Sequence, residues 1–254
     1  LKKLEWSSFG NPRVMVLIEE VNFEKKGFIT EGTLNSSLSD NHYHLIDETQ
    51  INAIRETDEA KKGLTGDAVS AATLGKRLQS DIIVIGKVAT EFVGQMSTSR
   101  NTLFTSNARC DIRVVISDTG QIILAKTISQ KGTSLSREEA GNKAIKKMAD
   151  IIVRDIVWEI PVNYTVLSNS HRAIQIIVSN CDFTSRDKII EHLKQNPVTG
   201  NHVYPRSFEN SIAIIDIEYI GTSDGLAGEI LKISDPKISV TGVTMNRIEI
   251  SVTK

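Results

Sequence analysis

Blocks of consecutive aliphatic residues alternate along this chain with stretches whose apolar positions recur every three or four residues. These are the patterns of buried strands and of amphipathic helices. Val14-Met15-Val16-Leu17-Ile18 reads as a fully buried strand. Residues 27–39 read as a weak helix with Leu34 and Leu38 on one face. His44-Leu45-Ile46-Asp47 reads as a second strand, and residues 50–62 as one charged helix carrying Ile51 and Ile54. The Gly63 to Gly66 stretch breaks it, and Asp67 is placed to cap a helix that runs to Leu78. Residues 71–93 are the most informative stretch. A short amphipathic helix runs into Asp81, then into Ile82-Ile83-Val84-Ile85 and Gly86-Lys87-Val88, giving a strand over 82–93. A helix that feeds a buried strand is an α/β unit.

Residues 94–107 are polar and rich in Ser and Thr, and read as a loop or an exposed hairpin tip. Strands follow at 108–117 and 121–129, joined by Asp118-Thr119-Gly120, a tight-turn signal. Ser136 then caps a long helix with Glu138 and Glu139 in its first turn, where the macrodipole favours acids. Its apolar stripe is Ala140, Ala144, Ile145, Met148, Ile151, Ile152 and Ile156. Residues 159–163, around Pro161, are the best boundary. Beyond it come a strand at 172–179, a helix at 185–194, strands at 201–206 and 211–220, a helix at 223–232, and one or two closing strands at 238–242 and 246–252. That β-α-β-β-α-β order is the ferredoxin-like split pattern. The expected organisation is a leader over 1–11, an α/β domain over 12–160 and an α+β ferredoxin-like domain over 163–254.

Composition narrows the function classes. With 254 residues, 40% apolar and 24% charged, each half has enough material for a core. The formal net charge is -1 and no basic face dominates, so nucleic acid, whose phosphates need clustered Lys and Arg, is not an expected partner. Lys143, Lys146 and Lys147 read as the solvated face of a helix. No apolar run reaches the roughly 18 residues of a membrane-spanning helix. No signal peptide is read, and the start at Leu1 rather than Met points to processing or a shortened chain. Cys110 and Cys181 sit in no metal-ligand spacing. They read as two small semi-buried residues, with a bridge open only in an oxidising compartment.

The motifs for chemistry fail one by one. Gly221-Thr222-Ser223-Asp224-Gly225 has the G-x-S-x-G form between a strand and a helix, but no histidine follows His202 to complete a triad. It reads as a strand-to-helix turn with Ser or Asp as the N-cap. Gly75-Lys76 and Gly86-Lys87 lack the flanking residues of a phosphate loop. His42 and His44 would share one face of a strand, with no third metal ligand marked. Glu19 and Glu20 would point to opposite faces of a strand, which rules out a shared catalytic role. No catalytic, cofactor-binding or metal-binding residue is assigned.

The order of the first-domain pieces carries a resemblance. They are the Pro12-Arg13-Val14-Met15-Val16 strand start, Asn35-Ser36-Ser37-Leu38, the His44 strand, the Leu74-Gly75 to Val88 segment, the Arg109 to Ile116 strand with Asp118-Thr119-Gly120-Gln121-Ile122-Ile123, and the helix from Ala140 to Val153. This succession resembles the curli-secretion lipoprotein CsgG superfamily, the middle domain of the flagellar assembly protein T and the N-terminal domain of TolB. The resemblance implies a three-layer α/β domain with a mixed sheet, in a bacterial envelope protein of the periplasm or the outer membrane. It carries over no catalytic residues and no cofactor.

In the curli channel, long insertions form membrane-spanning hairpins of two strands, each needing roughly 9 to 11 residues with alternating apolar positions. Here residues 94–107 offer only Met96, Leu103 and Phe104 as large apolar residues. A scaffold nearer in character to the flagellar relative fits better than a pore. The expectation is therefore a non-catalytic assembly or scaffold protein, in flagellar or secretion-related assembly. It would work with envelope proteins or with itself as a homo-oligomer. The alternative is an envelope module that binds a small molecule or peptidoglycan, which requires a concave pocket. Arg100 and Phe104 in the polar loop are the candidate interaction surface, since Arg and aromatic residues are favoured at interface hot spots.

Overall fold

In the structure, a computed structural model, the described residues are 12–169, 172–196, 202–244 and 246–253, with side chains left aside at 163–169 and 172. The leader read at residues 1–11 lies outside them. The chain divides into two compact units, Leu1–Asn163 and Tyr164–Lys254.

The first unit runs β1 (Arg13–Asn22), β2 (Lys25–Gly27), α1 (Ile29–Asp40), β3 (His44–Leu45), α2 (Glu48–Ile54), α3 (Asp58–Thr65), α4 (Ala68–Leu78), β4 (Ile82–Ser97), β5 (Thr102–Ile116), β6 (Ile122–Ser134) and α5 (Arg137–Asn169). Its mixed sheet has the order β2-β1-β4-β5-β6, with β3 also pairing β1. β1 is parallel to β3 and β4, and the other pairs are antiparallel. The two central aliphatic runs lie side by side, Val14 against Ile82 through Ile18 against Gly86. One face, with Met15, Leu17, Ile83, Ile85 and Val115, packs on Ile51 and Ile54 of α2, Ala60 and Leu64 of α3, and Ala71 and Leu74 of α4. The other face carries α5, whose Ala140, Ala144, Ile145, Met148, Ile152 and Ile156 are buried. Gly75 lets α4 approach the end of β5. A Cβ there would collide with Ser117 and lie 2.8 Å from Ile83 Cδ1.

Several elements differ from the sequence expectation. The single helix over 50–62 is two, α2 and α3, because Thr57 Oγ1 accepts the Ala60 N–H and opens a new helix. The second strand is two residues long, since Asp47 caps α2 through the Thr49 N–H at 2.9 Å. His42 lies in a turn with φ 65 and only His44 is on a strand, so the two share no strand face. Of the two readings of residues 94–107, the exposed hairpin tip holds and the loop does not: Gln95 pairs Phe104 and Ser97 pairs Thr102. The face under α5 is lined by Ser106, Gly132 and Ser134, so no apolar alternation marks the strands, and Thr favours extended backbone. Pro161 does not end α5. Proline removes the bond to the carbonyl four residues back, and the Tyr43 hydroxyl donates to that Val157 carbonyl at 3.4 Å.

At the outer edge of β1, between its pairings with β3 and β2, side chains replace a strand. The Ile18 N–H donates to Glu31 Oε2 at 2.9 Å, and Arg55 Nη1 donates to the Ile18 carbonyl at 2.9 Å. Arg55 Nη2 closes the set on Glu31 Oε1 at 2.6 Å. Two residues on, Glu20 accepts the N–H groups of Ile29 and Thr30 at the start of α1, whose Phe28 cap offers no side-chain bond. Glu20 is buried, and its charge is stabilised by the helix N-terminus.

The second unit runs β7 (Arg172–Ser179), α6 (Phe183–Gln195), β8 (Val203–Glu209), β9 (Ile212–Tyr219), α7 (Ser223–Ile230), β10 (Ile238–Thr244) and β11 (Arg247–Val252). Its sheet order is β10-β11-β7-β9-β8, with β11 parallel to β7 and the rest antiparallel. Both closing segments are therefore strands, joined as a hairpin. Ile174, Ile176, Ile215 and Ile217 pack with Ile189, Leu193, Leu226 and Ile230 of the two helices. The G-x-S-x-G stretch is a turn. Gly221 has φ 147, and Thr222, rather than Ser223 or Asp224, caps α7 by accepting the Gly225 N–H at 3.1 Å.

Candidate functional site

β1 pairs β4 only as far as Ala89, so residues 90–97 of β4 continue with β5 alone beside them. At about 3.3 Å per residue, this arm extends on the order of 25 Å past β1. β6 accompanies it as far as Ser134 opposite Phe104. A bulge at Val93 precedes the tip, where Thr98 and Asn101 close a tight turn through a 2.8 Å backbone bond.

The two faces of the arm differ. On one, α5 packs closely: Ser106 Oγ donates to the Arg137 carbonyl at 3.3 Å, and Ser134 Oγ to Glu139 at 2.7 Å. Gly132 lies directly under the backbone of Ala140 and Ala144. Asn22 ties the root of the arm to α5, bonding the Glu138 carbonyl, Asn142 and Thr90. Among the described residues nothing covers the other face, with Ala89, Glu91, Arg109, Asp111, Thr127, Ser129, Lys131 and Thr133 exposed. Asn107 bonds Glu91 there, and Asp111 accepts from Thr127 and Arg109. Those bonds hold the Asp111 carboxyl below the usual carboxylate range.

Arg100 is exposed in the tip turn, its backbone N–H 3.4 Å from Thr98 Oγ1. Phe104 is half-buried on β5, engaged by Phe92 at a ring-centroid distance of 6.4 Å. The Arg137 guanidinium lies 4.2 Å above the Phe92 ring. The structure thus groups Phe104 with Phe92 and Arg137, and places Arg100 on the turn. Val93 is 50% exposed at the bulge, and Met96 is 62% exposed opposite Leu103, on the other face of the arm from Phe104. Sequence reasoning missed Phe92, Val93 and Arg137. The first two were absorbed into a strand reading, and Arg137 sits unmarked after the Ser136 cap.

Elsewhere the geometry is structural. A cleft of about 90 Å³ is lined by Ile18, Glu20, Phe28, Arg55 and Lys61, where the Glu31–Arg55 pair closes the sheet edge. A shallow concavity of about 230 Å³ lies at Asp111, Arg113 and Lys126. Both fall below the roughly 300 Å³ at which small-molecule sites begin. Among the described residues, no three His, Cys, Asp or Glu side chains cluster as a metal site. Cys110 and Cys181 are free and buried, and burial pushes the Cys110 thiol up to about 12. No described helix is long and apolar enough to cross a membrane.

No curated protein matches the chain. Among solved structures, it is similar to the hypothetical protein CT253 from Chlamydia trachomatis, at 13% identity and TM-score 0.41 over 61% of this chain and 98% of that one. It is also similar to lipoprotein GNA1162 from Neisseria meningitidis, at 16% and 0.33 over 59% and 97%. The LpoB C-terminal domain from Salmonella enterica gives 12% and 0.29 over 47% and 82%. The family model of the TP0693-like lipoprotein C-terminal domain matches residues 13–157, more than half of the chain. The chain belongs to the TP0693-like lipoprotein family, its residues 13–157 matching that family's C-terminal domain.

Proposed function

We propose that this chain is a non-catalytic part of a bacterial envelope lipoprotein, periplasmic or associated with the outer membrane, that serves assembly by docking protein partners on the β4–β6 arm. One observation carries the reading: a sheet extension with an uncovered face ends in exposed Val93, Met96 and Arg100. Membership of a lipoprotein family supports the envelope setting. Kinship with the CsgG superfamily, a flagellar or secretion-related pathway and self-association belong to the same proposal, on the motifs quoted above. So does a ferredoxin-like second unit, with the β10–β11 hairpin in place of one closing strand.

The test is retention of envelope proteins by the immobilised chain, with solution mass measured alongside. Wild type retains a defined set, and Met96→Asp with Arg100→Ala and Phe104→Ala loses it while keeping its far-ultraviolet spectrum. Equal retention by the folded variant, or a strict monomer that retains nothing, contradicts the proposal.

A further inference from the structure

Among the described residues, β6 is the outer strand of the first sheet and pairs β5 alone. The Lys131 carbonyl accepts from Lys147 Nζ on α5 at 3.3 Å, so it faces away from β5. The Ile116 N–H donates toward β6, at the Gln121 carbonyl, which sets the same alternation from the β5 side. Strand geometry then turns the backbone groups of Thr127, Ser129, Lys131 and Thr133 outward. No proline interrupts residues 122–134, so this long edge is open to an added strand.

The charge beside the edge is positive. Lys143 Nζ bonds Ser134 Oγ and Lys147 Nζ bonds the Lys131 carbonyl. Among the described residues, Lys131, Lys143 and Lys147 form no ion pair, whereas Lys126 further along β6 is held by Asp155 and Glu159. In the first turn of α5, Glu138 is paired with Lys25, whereas Glu139 is held by the neutral Ser134 hydroxyl and has no counter-charge from it. Glu139 and Asp150, one turn beyond Lys147, offset two of the three positive charges and leave one. The lysines read from sequence as a solvated helix face thus include two that flank an unpaired strand.

We propose that the open edge of β6 takes an extended, acidic segment of a protein partner as an added strand. Main-chain bonds to the outward groups of β6 supply affinity, and Lys131, Lys143 and Lys147 select for acid. A second copy of β6 fits poorly, because a two-fold pairing sets these lysines against their equivalents. Lysine also guards edges against aggregation, but that device places charge on the strand, and here two of the three lysines come from the helix beside it. The inference rests on the reading of the chain as a protein-docking module, and names the chemistry of one partner.

The probe is a short fluorescein-labelled peptide of alternating Glu and Val, with a Lys-for-Glu peptide as control, titrated into the full chain by anisotropy. The Glu peptide binds, the Lys peptide does not, and Lys143→Glu with Lys147→Glu weakens binding by about tenfold or more. Ser129→Pro removes an outward N–H without touching the β5 ladder, so the protein folds and the Glu peptide is lost. As a second readout in wild type, peptide slows amide exchange at Thr127, Ser129 and Lys131. Equal binding of both peptides, binding by the folded Ser129→Pro protein, or unchanged exchange with bound peptide overturns the inference. A solution dimer that Ser129→Pro dissolves also overturns it, since the edge then holds a second copy. Retention of envelope proteins that is lost with Met96→Asp and kept with Ser129→Pro refutes this inference and leaves the proposed function standing.

Discussion

Arg55→Met tests whether side chains do the work of a strand at the edge of β1. In wild type the Glu31 side chain is 3% and the Arg55 side chain 16% exposed, so the pair is nearly dry. The change leaves the Glu31 carboxylate with the Ile18 N–H but no counter-charge, and the Ile18 carbonyl without its guanidinium donor. Removing one partner of a buried pair costs about 3–5 kcal/mol, and the orphaned carbonyl falls within that figure. For a unit of this size, that is a melting shift on the order of 6–20 °C. Trp158 lies on α5 in the first unit and residues 164–254 contain no tryptophan, so intrinsic fluorescence follows the unfolding of the first unit separately from the second. Glu31→Leu with Arg55→Met removes the stranded charge but leaves the Ile18 N–H and carbonyl unpaired. It recovers part of the loss and stays about 1–3 kcal/mol below wild type. Full recovery in the double variant would show an ordinary ion pair with no role at the edge. A loss under about 0.5 kcal/mol in Arg55→Met would place the pair with exposed surface bridges and refute the reasoning.

Gly132→Ala drives a methyl group into the backbone of Ala140 and Ala144, and within 3.0 Å of the Lys143 carbonyl carbon. Backbone yields little, so the expected loss is about 1–3 kcal/mol or more in a urea melt, and a neutral result contradicts the close seating of α5. Cys110 is buried with its thiol pushed up to about 12, and the Cys181 thiol is also raised by burial. Neither reacts with maleimide at neutral pH until the protein unfolds, and fast labelling of the native chain would contradict this. Asp47, Asp67 and Asp182 cap helices and are held below the ordinary 3.8 chiefly by hydrogen bonds from Thr49, Ser70 and Ser185. A lowered folded pKa gives stability that is present above the unfolded value and lost as pH falls through the folded one. Acid melts therefore steepen only below about pH 4, and Asp→Asn at these positions flattens that limb. An unchanged acid limb in the triple variant would remove these caps from the account.

How much the sequence disclosed follows from where apolar burial leaves a trace. The runs at residues 14–18 and 82–85 are buried on both faces and read directly as central strands. The Asp67 cap and the stripe of α5 were legible for the same reason. Residues 94–107 were legible only as far as a hairpin tip, and not as long paired strands, because the face under α5 carries Ser106, Gly132 and Ser134 and so has no apolar period to read. Pro161 marked a boundary in sequence, yet α5 runs through it, because its missing bond is compensated by Tyr43, far away in sequence. The Glu31–Arg55 edge pair carries no local signal, as its partners lie 24 residues apart. At the candidate site, Arg100 and Phe104 were visible as an Arg and an aromatic in a polar loop. The Phe92 and Arg137 contacts needed the register of β4 and the start of α5.

The central claim is that the β4–β6 arm is a protein-docking surface. Photo-crosslinking in living cells of the native host tests it directly, with a photoreactive side chain at Met96 on the arm or at Val69, an exposed apolar position on α4. The account predicts discrete protein adducts from Met96, including any self-adduct, and none from Val69. Absence of adducts at Met96, or the same adducts from both positions, would contradict it.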